Sequence, residues 1–378
     1  MSFVEPRTLV FVISALTALS ALILLAMRQS FSPTVRGINS WTTGIWVFLA
    51  CSLLFNFRET LPPIAGIVLA NFLLAVSLIF MVSGLLRYHG RQLTHYLLIG
   101  VATLAFTAVI AWFTLVQPNF QFRLAFVSTL IGIILAGLSY LALAGRPLTT
   151  GRIVTGAAFL LGTITSFLRS ISVVLRLDQP NTFFDLSGFQ VLYLGAFNVT
   201  FFIGTLGFIL MINERLREVL QFNAEHDELS GALNRRAFFE RTTTELAASQ
   251  QLKRPVSVLI LDLDNFKSIN DNHGHHFGDQ VIIDFCNTVR SVLRPGDVLG
   301  RYGGEEFVIL LPNTTSKTAI EIANRIRTAL HVPRNLPPYT ASVGVATTLS
   351  KVEDTDSLLI RADKALYRAK SQGRDRIE

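Results

Sequence analysis

Lysine is absent from the first 212 residues, where 11 arginines are set against only four acids: Glu5, Glu59, Asp178 and Asp185. The remainder carries 22 Lys plus Arg and 22 Asp plus Glu, so the whole formal charge of +7 sits in the first part. That charge is scattered between long apolar runs rather than gathered into one patch, which excludes a nucleic-acid-binding surface. Cysteine is equally scarce: Cys51 and Cys286 are the only two. Neither has a partner at metal-ligand spacing, which excludes a disulfide framework and a zinc site. A chain of 378 residues with two such unlike parts is expected to form two domains.

What the first part has in abundance is apolar length. Crossing a bilayer takes about 20 mostly apolar residues, and runs of that order fall near 8–27, 41–57, 64–86, 94–116, 122–144, 153–175 and 189–212. The first is too long for a cleaved leader, and another follows at once. Seven spans make residues 1–212 an α-helical transmembrane sensor domain. With the N-terminus outside, Arg28, Arg36, Arg87, Arg91, Arg146 and Arg152 fall in inside loops, while Arg7, Arg58, Arg123 and Arg176 stand singly outside. This bias places the C-terminal part in the cytoplasm of a multi-pass inner-membrane protein. Arg169, deep in the sixth run, is expected to snorkel outward. Trp41, Trp112 and Tyr193 read as interface anchors, and Asn71, His95 and Asn198 as polar contacts between helices. Paired broken helices of the transporter kind are not evident in the sequence.

Residues 213–226 read as a helical linker. Ile212, Leu216, Val219 and Asn223 are spaced as a short coiled-coil seam. Residues 227–378 form the second domain. From residue 255 the pattern gives a strand at 256–263, a helix at 276–293 and a hairpin of 297–302 with 307–311. A helix at 316–330, a strand at 339–347 and a helix at 356–371 follow. This order predicts an α+β, ferredoxin-like or palm-type fold with a central antiparallel sheet and helices on one face.

Two carboxylate clusters lie on that scaffold. Asp262 and Asp264 end the first strand two residues apart and so share a face. Glu305 and Glu306 follow Gly303-Gly304 at the hairpin tip, beside that strand end. Acids converging with no cation near them repel unless a hard divalent ion sits between, and Mg²⁺ (or Mn²⁺) held by carboxylates plus substrate phosphates suits the pair. Two adjacent glycines permit positive φ and leave bare backbone against a base or ribose.

Gly303-Gly-Glu-Glu-Phe307 resembles the signature of the GGDEF-domain diguanylate cyclases in its Glu variant. Three more blocks resemble the family in order. They are Asp227-Glu-Leu-Ser-Gly-Ala-Leu-Asn-Arg-Arg-Ala-Phe238; Asp262-Leu-Asp-Asn-Phe-Lys267 with Asn270, Gly274, Gly278 and Asp279; and Ala362 to Lys370 with Gly373-Arg374. The likeness covers about 223–378, with Ser230 where Thr is usual and Ala232 where Leu is usual.

The resemblance implies condensation of two GTP into cyclic di-GMP by a homodimer. Asp262, the Leu263 carbonyl and Glu305 would hold the metal, and Glu306 would position or deprotonate the ribose 3′-hydroxyl. The N–H groups of Asn265 and Phe266, with Lys267, would cradle phosphates, aided by Lys370 and Arg374 on the last helix. Asn270 and Asp279 would read guanine, with Gly304 against the nucleotide. Arg294 and Asp297 match the family's R-x-x-D site for inhibition by cyclic di-GMP. No phosphodiesterase domain is expected after Glu378. The alternatives are a module that binds GTP or cyclic di-GMP without turnover, and a cyclase acting on another nucleotide.

Overall fold

A computed structural model describes residues 5–30, 36–332, 336–348 and 353–378. The chain forms two compact units, Met1–Glu218 and Val219–Glu378.

The first unit is helical: α1 Pro6–Ser30, α2 Ile38–Asn56, α3 Ala70–Tyr88 entered through a π-helical turn Ile64–Leu69, α4 Tyr96–Leu115, α5 Phe120–Leu143, α6 Thr150–Val174 and α7 Gly188–Glu225. Among the described residues seven helices are long and apolar enough to cross a membrane, in agreement with the seven runs. They approach closely where one side is small. A Cβ on Gly37 would lie 2.3 Å from the Gly84 carbonyl oxygen, and one on Gly151 would lie 2.4 Å from the Met211 nitrogen. Small residues at such crossings let backbones meet without a hydrophobic drive between helices.

Four side chains of this unit depart from expectation. Trp41 is fully buried and stacks on Phe208 at 4.0 Å, and Tyr193 is also buried, so neither is an interface anchor. Arg169 does not snorkel; it is 5% exposed and lies over the Tyr193 ring at 4.0 Å. Asn198 does bridge helices, donating to the Leu9 carbonyl at 3.2 Å, whereas His95 is exposed at the start of α4. The helix expected after the last span is present, since α7 runs unbroken to Glu225.

In the second unit the order is β1 Leu233–Asn234, α8 Arg235–Leu252, β2 Ser257–Leu263, α9 Phe266–His273, α10 His275–Val292, β3 Val298–Arg301, β4 Glu306–Leu311, α11 Ser316–Leu330, β5 Ala341–Thr347 and α12 Thr355–Ser371. The sheet order is β1-β3-β4-β2-β5. Its central pairs are antiparallel, and short β1 adds to β3 in parallel, which makes the sheet mixed.

Helices cover both faces, not one. Leu259, Leu261 and Leu263 of β2 pack with Phe285 of α10 and Ile322 of α11. Val258 and Ile260 pack on the other side with Phe238 of α8 and Leu366 of α12. Every residue of β2 is buried, as its unbroken apolar run requires. Ala232, 2% exposed, joins the first of these cores.

Candidate active site

The site forms where β2 ends. Antiparallel pairing sets Asp262 opposite Glu306, and the Leu263 N–H donates to the Glu305 carbonyl at 3.2 Å. The expected meeting of Asp262 with the hairpin acids therefore occurs, and backbone register fixes it. Asp262 is 5% exposed. Burial pushes its carboxyl above the ordinary range, against the pull of Lys370. Glu305 is raised as well, first by burial and then by the negative charge of Asp262.

Contrary to the expectation of acids with no cation near them, a cation is already there. Lys370 Nζ lies 2.7 Å from Asp262 Oδ2. Lys370, expected to aid phosphate binding, is thus held at the acidic centre itself. Arg374 also acts on Asp262 electrostatically, yet it is not on the last helix. α12 ends at Ser371, and Arg374 occupies a left-handed turn (φ 61°) beyond Gly373.

Asp264 is fixed by hydroxyls of Thr340 and Ser342, each at 2.7 Å, and by the Asp375 N–H at 3.1 Å. It ties β2 to the turn after α12, so its role is to brace the site. Asn265 then turns left-handed (φ 55°), a conformation Asn tolerates, and α9 begins. The first turn of any helix points unpaired N–H groups outward, a ready seat for phosphate. Here that turn holds Phe266 and the exposed Lys267. Asn270, one turn on, faces α10. A Cβ on Gly278 would lie 1.9 Å from Asn270 Oδ1, so only glycine admits the asparagine at this place. Asp279 follows on α10, exposed.

The Gly303-Gly304 turn does not use the conformational freedom expected of it, because neither glycine has positive φ. Its value is space. Nothing lies within 4 Å of a Cβ built on Gly304. Arg301, which motif reading passed over, anchors the turn. Its guanidinium donates to the carbonyls of Gly303 (3.2 Å) and Gly304 (2.6 Å) and to Asp227 Oδ1 at 2.8 Å. Asp227 also receives the Ser230 N–H at 2.8 Å. Although burial opposes it, these bonds hold the Asp227 carboxyl below its usual range. The opening motif thus positions the signature turn through one arginine. The signal was an arginine two residues before the glycines and an otherwise unexplained aspartate.

Arg294 and Asp297 close a turn on each other: Arg294 Nε donates to Asp297 Oδ1 at 3.0 Å, and the Asp297 N–H donates back to the Arg294 carbonyl at 3.1 Å. Arg294 also donates to Pro312 O and Thr314 Oγ1. With Arg241 and Arg290 it lines a groove of about 620 Å³.

Among the described residues no three His, Cys, Asp or Glu side chains gather as a metal cluster. Two carboxylates with a main-chain carbonyl nevertheless suit Mg²⁺, which takes one or two acids and completes its shell with phosphates and water. The raised Asp262 and Glu305 are the groups a further cation would stabilise.

Residues 224–376 match the family model described as diguanylate cyclase, GGDEF domain. Residues 224–376 therefore form a GGDEF domain. Among its relatives, Escherichia coli diguanylate cyclase DgcM is 42% identical over 166 residues, 43% of this chain and 40% of that protein. Vibrio cholerae diguanylate cyclase VdcA is 38% identical over 177 residues, 45% of this chain and 50% of that protein. The chain therefore spans half or less of the length of these relatives. The solved GGDEF domain of DgcB from Caulobacter crescentus, crystallised with c-di-GMP, is 32% identical. That match covers 41% of this chain and 92% of the solved one at a TM-score of 0.39.

Proposed function

We propose that this protein is a membrane-bound diguanylate cyclase that condenses two GTP into one cyclic di-GMP and two pyrophosphates. The observation that carries this reading is the convergence of Asp262 and Glu305 at the end of β2, beside the first turn of α9. An acidic centre next to a helix N-terminus is suited to a triphosphate with its counter-cations.

In each half-reaction the 3′-hydroxyl oxygen of one GTP attacks the α-phosphorus of the other. The bond from that phosphorus to the bridging oxygen breaks, and pyrophosphate leaves. Asp262, Glu305 and the Leu263 carbonyl would hold Mg²⁺ or Mn²⁺, which offsets phosphate charge and lowers the hydroxyl pKa. Glu306 stands opposite Asp262 and orients or accepts the hydroxyl proton. The N–H groups at Asn265 and Phe266, with Lys267, receive β- and γ-phosphates. Lys370 and Arg374, already at Asp262, add positive charge as the phosphates enter. Asn270 and Asp279 face the guanine edge; a carboxylate accepting from its N–H groups rejects adenine. Gly304 leaves room for the nucleotide.

One domain holds one GTP, so two copies must face each other, and a homodimer is the active form. Leu220 and Phe222, exposed near the end of α7, offer apolar surface for a second copy. The seven apolar helices would cross the inner membrane with this domain in the cytoplasm. Cyclic di-GMP would inhibit through Arg294 and Asp297, which requires Arg294 to exchange its bond with Asp297 for the ligand.

The test is product analysis by the full chain in nanodiscs with GTP and Mg²⁺. Cyclic di-GMP and two pyrophosphates per product are expected, with no cyclic product from ATP. Bound GTP or cyclic di-GMP without turnover would replace the cyclase reading with a receptor, and turnover of ATP would overturn the assignment of guanine.

Gly278→Ala should displace Asn270 and cost about 1–3 kcal/mol of guanine binding. KM for GTP should rise about tenfold or more, with a smaller change in kcat. An unchanged KM would remove Asn270 from the recognition of guanine.

A further inference from the structure

Three of the arginines of the helical unit converge on one cavity. Arg58 lies in the loop after α2, Arg123 in the first turn of α5, and Arg169 near the end of α6. All three line a partly open space of about 90 Å³ to which each of the seven helices contributes wall. The cavity sits at the end of the unit that carries the 57–63, 116–119 and 175–187 loops. No aspartate or glutamate lines it.

The nearest acids are otherwise engaged. Glu59 pairs with Arg7, and Asp178 accepts from Ser187 Oγ at 2.9 Å. The guanidiniums are instead held by neutral groups. Arg169 donates to Gln190 Oε1 at 2.5 Å and lies over Tyr193, while Arg123 donates to Thr114 Oγ1 at 2.7 Å. Arg58 lies over Phe183 at 4.5 Å. The Nε atoms of Arg123 and Arg169 are buried without a partner, and Arg169 as a whole is 5% exposed.

Cations this buried are costly unless an opposite charge meets them. Burial, then repulsion from Arg123 and Arg169, brings the Arg58 guanidinium down to about 10 against a weaker pull from neighbouring Glu59. Yet the rings, the Gln190 amide and the Thr114 hydroxyl hold the three in place, as a site built to receive a charge would. The rest of the wall is mostly apolar, with Val10, Phe48, Leu74 and Ile131 among it and Ser52, Asn71 and Ser128 as its small polar members.

We infer that this cavity binds an amphiphilic anion, its charged head between Arg58, Arg123 and Arg169 and its first carbons against the apolar wall. A carboxylate accepts a planar guanidinium fork, and arginine stacked on an aromatic ring is already oriented to offer it. The volume suits a head and a short chain rather than a whole lipid. Such a head could belong to a free fatty acid or to an anionic phospholipid reaching in. The inference is independent of the cyclase reading, because binding is read without turnover.

The experiment uses the full chain in phosphatidylcholine nanodiscs, with octanoate as the probe and octanol as its uncharged counterpart. Octanoate should raise the melting temperature saturably by about 3 °C or more, and octanol should not. Arg169→Gln and, separately, Arg123→Gln should weaken octanoate binding at least about tenfold, while Arg169→Lys should retain part of it. Discs containing phosphatidylglycerol distinguish the source. Stabilisation there that Arg169→Gln removes, with no octanoate effect in phosphatidylcholine, assigns the site to a lipid head. An octanoate response in phosphatidylcholine assigns it to a free anion. The inference is overturned if octanol matches octanoate, or if neither anion source stabilises the protein. It is also overturned if the response survives in both glutamine variants. Arg123 is the less buried of the pair, so its variant decides the matter should Arg169→Gln not fold.

Discussion

Glu306→Ala should reduce cyclic di-GMP formation by the full chain about 10²–10⁴-fold while leaving its melting temperature within about 3 °C of the parent. The two halves of this expectation come from different atoms of one residue. Glu306 supports the fold through its main chain: its carbonyl accepts from the N–H groups of Tyr302 at 2.8 Å and Gly303 at 3.2 Å, closing the hairpin. Register against Asp262 likewise depends on backbone alone. Alanine retains all of this. The carboxylate is only partly buried, and its removal deletes one negative charge beside Glu305, a relief rather than a loss for stability. Product analysis and a thermal scan on one preparation check both halves. Turnover above about one tenth of the parent would move the proton-handling role to another group. A collapse in melting temperature would show that the side chain, not the backbone, holds the hairpin.

The same division between side chain and backbone explains what could be read beforehand. Seven helices were legible because each long apolar run stands alone as a signal, and β2 because seven consecutive residues must all be buried. Asp262 and Glu305 were legible because the strand and hairpin that carry them are neighbours in such a fold. Their partner was not. Lys370 is over a hundred residues from Asp262 in the chain and sits in a helix end where a cation is ordinary; only the packing of α12 against the sheet brings them to 2.7 Å. Arg301 was hidden for a similar reason, since its worth lies in three acceptors drawn from two separate loops. The placement of helices on both faces was in fact written in β2, whose unbroken apolar run leaves no face for water. Arg169 misled because a charge in an apolar helix near a membrane surface ordinarily reaches outward. Here Gln190 and Tyr193, from another helix, hold it inside.

Gly344→Ala should destabilise the C-terminal domain by about 3 kcal/mol and abolish turnover, the larger structural effect of any single methyl group in this site's surroundings. Gly344 lies in β5 opposite Ile260 of β2, under the crossing of α12. A Cβ there would stand 2.2 Å from the Ala362 carbonyl oxygen and 2.3 Å from the Leu366 nitrogen. Both are backbone atoms inside a helix, so no rotamer change can relieve the overlap, and α12 itself must lift. That helix carries Lys370, whose contact with Asp262 tolerates little displacement. The contrasting variant is Gly304→Ala, where an added Cβ meets nothing within 4 Å. It should leave stability unchanged and reduce turnover by narrowing the space left for nucleotide. Hydrogen exchange on the full chain separates the two: faster exchange of β5 and α12 amides in Gly344→Ala, and parental exchange in Gly304→Ala. Parental exchange in both would mean that α12 can shift without loosening the sheet. Turnover in Gly344→Ala would then report directly on how closely Lys370 must be held to Asp262.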